Sequence, residues 1–188
     1  MKYVSIDIET LGLNPDKCDT IEIGAVIDDL SGNQSVWELP AFHCYVTRDD
    51  NMYSGDAFAM SMHSTILKRI AKREEGYSYV PHDMVDKVFA DWLDENGIEG
   101  KIVVAGKNFA GFDLRFLRRL GFGEKVKMDH RNLDPGSMFF DPSKDTVPPS
   151  LGECLRRSGI EKEVQHTAVE DAIDVVQCIR YHHGRKTS

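Results

Sequence analysis

The sequence predicts an α/β domain, a central mixed sheet flanked by helices. Three observations carry that expectation. The first half alternates apolar and polar residues with a period of two. The second half carries apolar stripes at helical spacing, and one short apolar run, residues 101–106, interrupts them as a buried strand would. The chain has 188 residues, a one-domain length, so 1–182 is expected to form a single domain and 183–188 a polar C-terminal tail. With 41% hydrophobic and 29% charged residues, the composition excludes a disordered or fibrous chain.

Taken in order, residues 2–9 place Val4, Ile6 and Ile8 on one strand face and Tyr3, Ser5, Asp7 and Glu9 on the other. The turn-prone Leu13-Asn14-Pro15-Asp16 leads to a second strand at 20–28, and a third is expected at 36–47, with Pro40 near its start. Residues 64–73 carry Ile66, Leu67 and Ile70 at helical spacing, with Lys68, Arg69, Lys72 and Arg73 mostly outside. The clearest helix is 82–96, where Met84, Val85, Val88, Phe89, Trp92 and Leu93 form a stripe that Gly97 ends. After the strand at 101–106, a helix spans 109–120 and stops at Gly121. Residues 127–147 are mixed, with room for one more strand before the prolines at 148 and 149. Ser150-x-x-Glu153 and Thr167-x-x-Glu170 both match the capping box and open the last two helices. The sum is a mixed five-stranded sheet.

A formal net charge of −8 argues against sequence-independent coating of a duplex, which needs many cations on phosphates. It leaves open nucleic acid held through bound divalent ions. Cys18, Cys44, Cys154 and Cys178 form no C-x-x-C pair and read as reduced thiols. The first residues meet a carboxylate at Asp7, too early for a signal peptide, and no apolar run approaches the ~20 residues of a membrane span. The expectation is a cytoplasmic domain without membrane contact.

Several carboxylates stand where the pattern predicts core. Asp7 and Glu9 share one strand face, about 7 Å apart along the strand, at a strand end where α/β sites usually open. A D-x-E pair alone fits a solvated strand face better than a site. Asp113 falls inside the stripe of Phe109, Phe112, Phe116, Leu117 and Leu120. Burying an unpaired carboxylate costs several kcal/mol, so Asp113 needs a neighbouring arginine or a metal. Asp171 borders the stripe of Ala168, Ala172, Val175, Val176 and Ile179, while Glu170 and Asp174 read as a cap and a solvated residue. His166 belongs to the loop entering that helix. Acids so placed fit hard cations such as Mg²⁺ or Mn²⁺ rather than zinc. Two such ions about 4 Å apart clamp in-line attack on a phosphodiester.

Three segments together resemble the DEDDh 3′–5′ exonucleases, a superfamily that includes the proofreading exonucleases of bacterial DNA polymerases and the oligoribonucleases. They are Asp7-Ile8-Glu9-Thr10 with Leu11-Gly12-Leu13, Asn108-Phe109-Ala110-Gly111-Phe112-Asp113 with Phe116-Leu117, and His166-Thr167-Ala168-Val169-Glu170-Asp171. Each is short, but they occur in the right order over nearly the whole chain. Asn108, five residues before Asp113, has a spacing closer to oligoribonucleases than to many proofreading domains. That likeness is partial and does not choose between RNA and DNA, and Ala57–His63 points to no particular substrate.

The resemblance implies an RNase H-like fold and two Mg²⁺ or Mn²⁺ ions per site. It implies that Asp7 bridges both cations, that Glu9 and Asp171 complete one shell, and that Asp113 holds the second ion. His166 matches the general base, and a His near pKa ~6.5 suits that task at neutral pH. Leu13 matches a leucine that wedges against the terminal base, and Thr10 and Asn108 match substrate-side contacts. The partner implied is a single-stranded 3′ end, RNA or DNA, shortened to 5′-mononucleotides, and a homo-oligomer is compatible with the sequence. Two other readings stand beside it: a catalytically silent nucleic-acid-binding module of the same fold, and a structure-specific endonuclease.

Overall fold

A computed structural model describes residues 1–162 and 167–185. Strands β1 (Lys2–Thr10), β2 (Thr20–Asp29) and β3 (Ala41–Thr47) form the expected antiparallel meander. Helices α1 (Ala57–Met62) and α2 (Ser64–Lys72) follow, then β4 (Tyr79–Pro81), α3 (Val85–Glu95), β5 (Lys101–Ala105), α4 (Asp113–Arg119) and β6 (Lys127–Leu133). The short α5 (Pro135–Met138), α6 (Leu151–Arg157) and the long α7 (Ala168–His182) complete the order. The sheet runs β4-β3-β2-β1-β5-β6. β1–β2 and β2–β3 are antiparallel, and β1–β5, β5–β6 and β3–β4 are parallel.

The α/β class with a mixed sheet is as expected, but the sheet has six strands rather than five. The additional one, β4, spans three residues and is too short to show a period in the sequence; its partner β3 defines it. The third strand starts at Ala41, because Ser35 caps a 3₁₀ turn over Val36–Glu38 and Pro40 precedes the ladder. The helix expected over 109–120 is shorter. Asn108 adopts a left-handed backbone, φ 58°, and the chain turns through 108–112 before α4 begins at Asp113. Ser150 caps α6 by accepting from the Glu153 amide, whereas Thr167 makes no side-chain cap on α7. Asp174, expected in solvent, is fully buried, with Lys162 Nζ 2.5 Å from its carboxylate.

The two faces of β1 bury different things. Val4, Ile6 and Ile8 join Ile23, Phe42, Phe89 and Phe116 in the main core under α3 and α4. On the other face Tyr3 joins Val26, Ala172, Val175, Val176 and Ile179, the buried stripe of α7. This is the face on which Asp7 and Glu9 project. Near its far end α7 is tied down by Arg180, which is 1% exposed and sends Nη2 to Asp28 Oδ1 at 2.6 Å. The same guanidinium donates to the Gln34 carbonyl, and Tyr3 donates its hydroxyl to Asp28 Oδ2. Beyond α7, Arg185 reaches back to the Asp29 carbonyl, so the start of the expected tail is docked on the end of β2. Among the described residues no helix is long and apolar enough to cross a membrane.

Candidate active site

The end of β1 assembles the acids. Asp7, Glu9 and Asp171 each offer an oxygen within 4.8 Å of the others'. Strand alternation sets the first two on one face, and α7 lies over that face with Asp171 in its first turn. Glu9 is 8% and Asp171 7% exposed, so this is no solvated strand face. Asp113 comes from the other side, at the first position of α4 and 4% exposed. It lies outside the tight group of three, yet is near enough to raise the proton affinity of Asp7. The amides of Asp113 itself and of Ile8 hydrogen-bond its carboxylate.

Electrostatics mark the cluster as strained without positive charge. Burial, then the charge of Glu22 and those of Asp171 and Asp113, push Glu9 up to about 9. Burial pushes Asp113 up to about 7, held back by its two amide hydrogen bonds and helped by Asp134. Asp7 is raised well above the carboxylate range by burial, then by Asp113, Asp171, Glu9 and Glu22. Buried like charges favour the neutral forms. Buried acids elsewhere have direct partners: Asp86 accepts the amides of Lys125 and Val126 at 2.8 and 3.0 Å, and Asp28 has Arg180. The contrast is chemical. Asp86 and Asp28 stand singly among donors, whereas Asp7, Glu9 and Asp171 stand together, and such an all-oxygen set has the composition of a hard-cation site.

The remaining expected residues lie at the end of β1, in turns next to β1 and α4, or outside the described residues. Leu13 stands 79% exposed in the turn after β1, and the Thr10 hydroxyl donates to the Gly12 carbonyl at 2.8 Å, stiffening that turn. Asn108 is exposed, with its amide on Asp134 Oδ2 at 3.1 Å. His166 lies outside the described residues. Two residues at the site carried no role in the sequence reading. His63, at the junction of α1 and α2, is 4% exposed and places Nε2 3.4 Å from Glu9 Oε2. Glu22, 3% exposed, lies directly across from Glu9 in the β1–β2 register. The signal for Glu22 was in the sequence: a glutamate amid the apolar run of TIEIGAVID.

Neither a protein-family model nor a curated protein matches the sequence. Solved structures do. E. coli Exonuclease I in complex with a 5cy-dT13 oligonucleotide superposes with a TM-score of 0.66 at 13% identity, over 98% of this chain and 41% of that one. The complex of the same enzyme with a dA16 oligonucleotide gives 0.65 at 14% identity, covering 98% and 41%. A zinc-ion-bound Exonuclease I–ssDNA complex gives 0.64 at 14%, covering 95% and 40%. The chain has the fold of Exonuclease I. It spans about two-fifths of the length of these Exonuclease I chains, and the shared part includes the whole sheet and α7.

Proposed function

We propose that this chain is a 3′–5′ exonuclease that hydrolyses the terminal phosphodiester of single-stranded nucleic acid, RNA or DNA, to 5′-mononucleotides. The observation that carries the reading is the convergence of Asp7, Glu9 and Asp171, whose carboxylate oxygens lie within 4.8 Å of one another. It occurs on a fold shared with an enzyme solved in complex with single-stranded oligonucleotides.

The donor set fits two Mg²⁺ or Mn²⁺ ions. All its atoms are carboxylate oxygens, and burial together with mutual repulsion raises the proton affinities of Asp7 and Glu9, which divalent ions would offset. Asp7, Glu9, Asp171 and Asp113 are the residues that would hold the ions. When bound, such a pair supplies Lewis acidity and neutralises charge at the phosphodiester. His166 takes a proton from the attacking water, a role carried over from the motif His166-Thr167-Ala168-Val169-Glu170-Asp171. Leu13, exposed in the turn after β1, would pack against the terminal base, while the Thr10 hydroxyl holds that turn through the Gly12 carbonyl. Asn108, exposed in the turn before Asp113, is the further substrate contact that this reading expects.

A 5′-labelled single strand incubated with Mg²⁺ and resolved over time tests the reading. Stepwise shortening from the 3′ end is the expected result. Internal cuts point to an endonuclease, and an unchanged strand to a binding module; either outcome overturns the proposal.

A further inference from the structure

Glu22 is the buried acid that the proposed cation site leaves unused, and its contacts lead to α7. His43 on β3 donates Nε2–H to Glu22 Oε1 at 2.7 Å. The other oxygen, Oε2, accepts the amide of Ala168, the first residue of α7, at 3.5 Å. Two residues along β2, the backbone of Ala168 and Val169 lies so close to Gly24 that a Cβ there would meet it at 2.2 Å. The first turn of α7 is therefore seated on β2 at two points, one polar and one steric. Asp171 follows Ala168 by three residues, a rise of about 4.5 Å, so it moves with that seat.

Placing a fourth acid beside Asp7, Glu9 and Asp171 is electrostatically unfavourable, since Glu22 raises the proton affinity of two of them. Side-chain packing does not require a carboxylate here. What the carboxylate does, and an aliphatic side chain cannot, is accept from His43 and from Ala168 at once. We propose that Glu22, braced by His43, is a positioning residue that seats the start of α7 so that Asp171 meets Asp7 and Glu9. The inference rests on the exonuclease reading for its consequence in turnover, but its first effect is on cation binding.

The test measures Mn²⁺ affinity by titration, thermal stability, and kcat and KM on a single-stranded oligonucleotide, all on the same preparations. Glu22→Ala is expected to bind Mn²⁺ at least tenfold more weakly and to lose kcat, with KM for the strand changed less than threefold. Glu22→Gln keeps an acceptor for the Ala168 amide, so it should stay within threefold of the unaltered chain in Mn²⁺ affinity. His43→Ala, at a part-exposed position, keeps the question answerable if Glu22→Ala does not fold; it should weaken Mn²⁺ binding three- to tenfold. Unchanged Mn²⁺ affinity in Glu22→Ala or His43→Ala overturns the proposal, as does Glu22→Gln falling as far as Glu22→Ala, which would assign the effect to charge. If the variants lose Mn²⁺ but even the unaltered chain cleaves no strand, the positioning role stands and the exonuclease reading fails. If the unaltered chain cleaves and the variants match it, the reverse holds. An unaltered chain that binds no Mn²⁺ overturns both.

Discussion

Asp7, Glu9, Asp113 and Asp171 are expected to serve activity rather than folding. Asp7→Ala, Asp113→Ala and Asp171→Ala should each abolish detectable cleavage at saturating Mg²⁺ while the metal-free protein still folds, because each acid is placed to hold a cation. Normal cleavage in any of the three would refute the assigned cation site. The pH dependence has a definite sign. Glu9 ionises near 9 in the folded chain against an ordinary 4.5, so the folded state holds that proton more tightly than the unfolded one. Its stabilising contribution is complete below about pH 4.5 and is lost as pH rises toward 9. Asp113 acts likewise up to about 7. In EDTA, thermal melts from pH 5 to 9 should show this decline, and Glu9→Gln should flatten it. A decline just as steep in Glu9→Gln would remove Glu9 as its source. For His166, the Ala variant should lose ~10²–10⁴ in rate with cation affinity unchanged, the size of a general-base contribution. Lowered melting temperature with intact turnover per folded molecule would instead make it a structural residue.

At the scale of elements, α7 is the part on which the site depends, and it is fastened at both ends: Glu22 and Gly24 at its start, Arg180 near its finish. Arg180→Ala leaves Asp28 buried without its main partner, and breaking a buried pair costs about 3–5 kcal/mol. Chemical denaturation should show that loss, and a change below 1 kcal/mol would mean that Tyr3 and Arg185 already satisfy Asp28. These fastenings were the least legible part of the chain. The period-two pattern of 2–9 revealed a strand and its faces, and the stripe of 168–179 revealed α7, because both patterns are local. Arg180, Asp28 and Glu22 depend on which strand lies beside which, and no single segment encodes that. Asp113 shows the mixed case. Its burial was readable from the surrounding phenylalanines, but its position at a helix start was set by the left-handed turn at Asn108. Glu22 was visible as an acid in an apolar run, but its partners His43 and Ala168 were not, and the three-residue β4 was hidden likewise, because its partner defines it.

Over the whole molecule, a net charge of −8 and a cluster of buried acids repel a phosphate backbone. Many of the arginines are already engaged. Arg48 pairs with Asp19, Arg119 with Asp16, Arg157 with Asp145, and Arg69 and Arg73 stack on Tyr77 and Tyr79. Arg69 and Arg73, at least, are held by tyrosine rings, and under the exonuclease reading a strand is expected to bind chiefly through divalent ions at the acids. A single strand ending in a cleavage-resistant 3′-phosphorothioate should bind at least tenfold more weakly in EDTA than in Mg²⁺. At fixed Mg²⁺, log K should fall only shallowly with log salt. With two or three protein–phosphate contacts the slope is about −2, from roughly 0.7 per contact on single strands. Binding that survives EDTA and falls with a slope near −5 would need about seven such contacts. That result would place the strand on a basic surface, away from the acids, and the cation-bridged geometry would have to be abandoned.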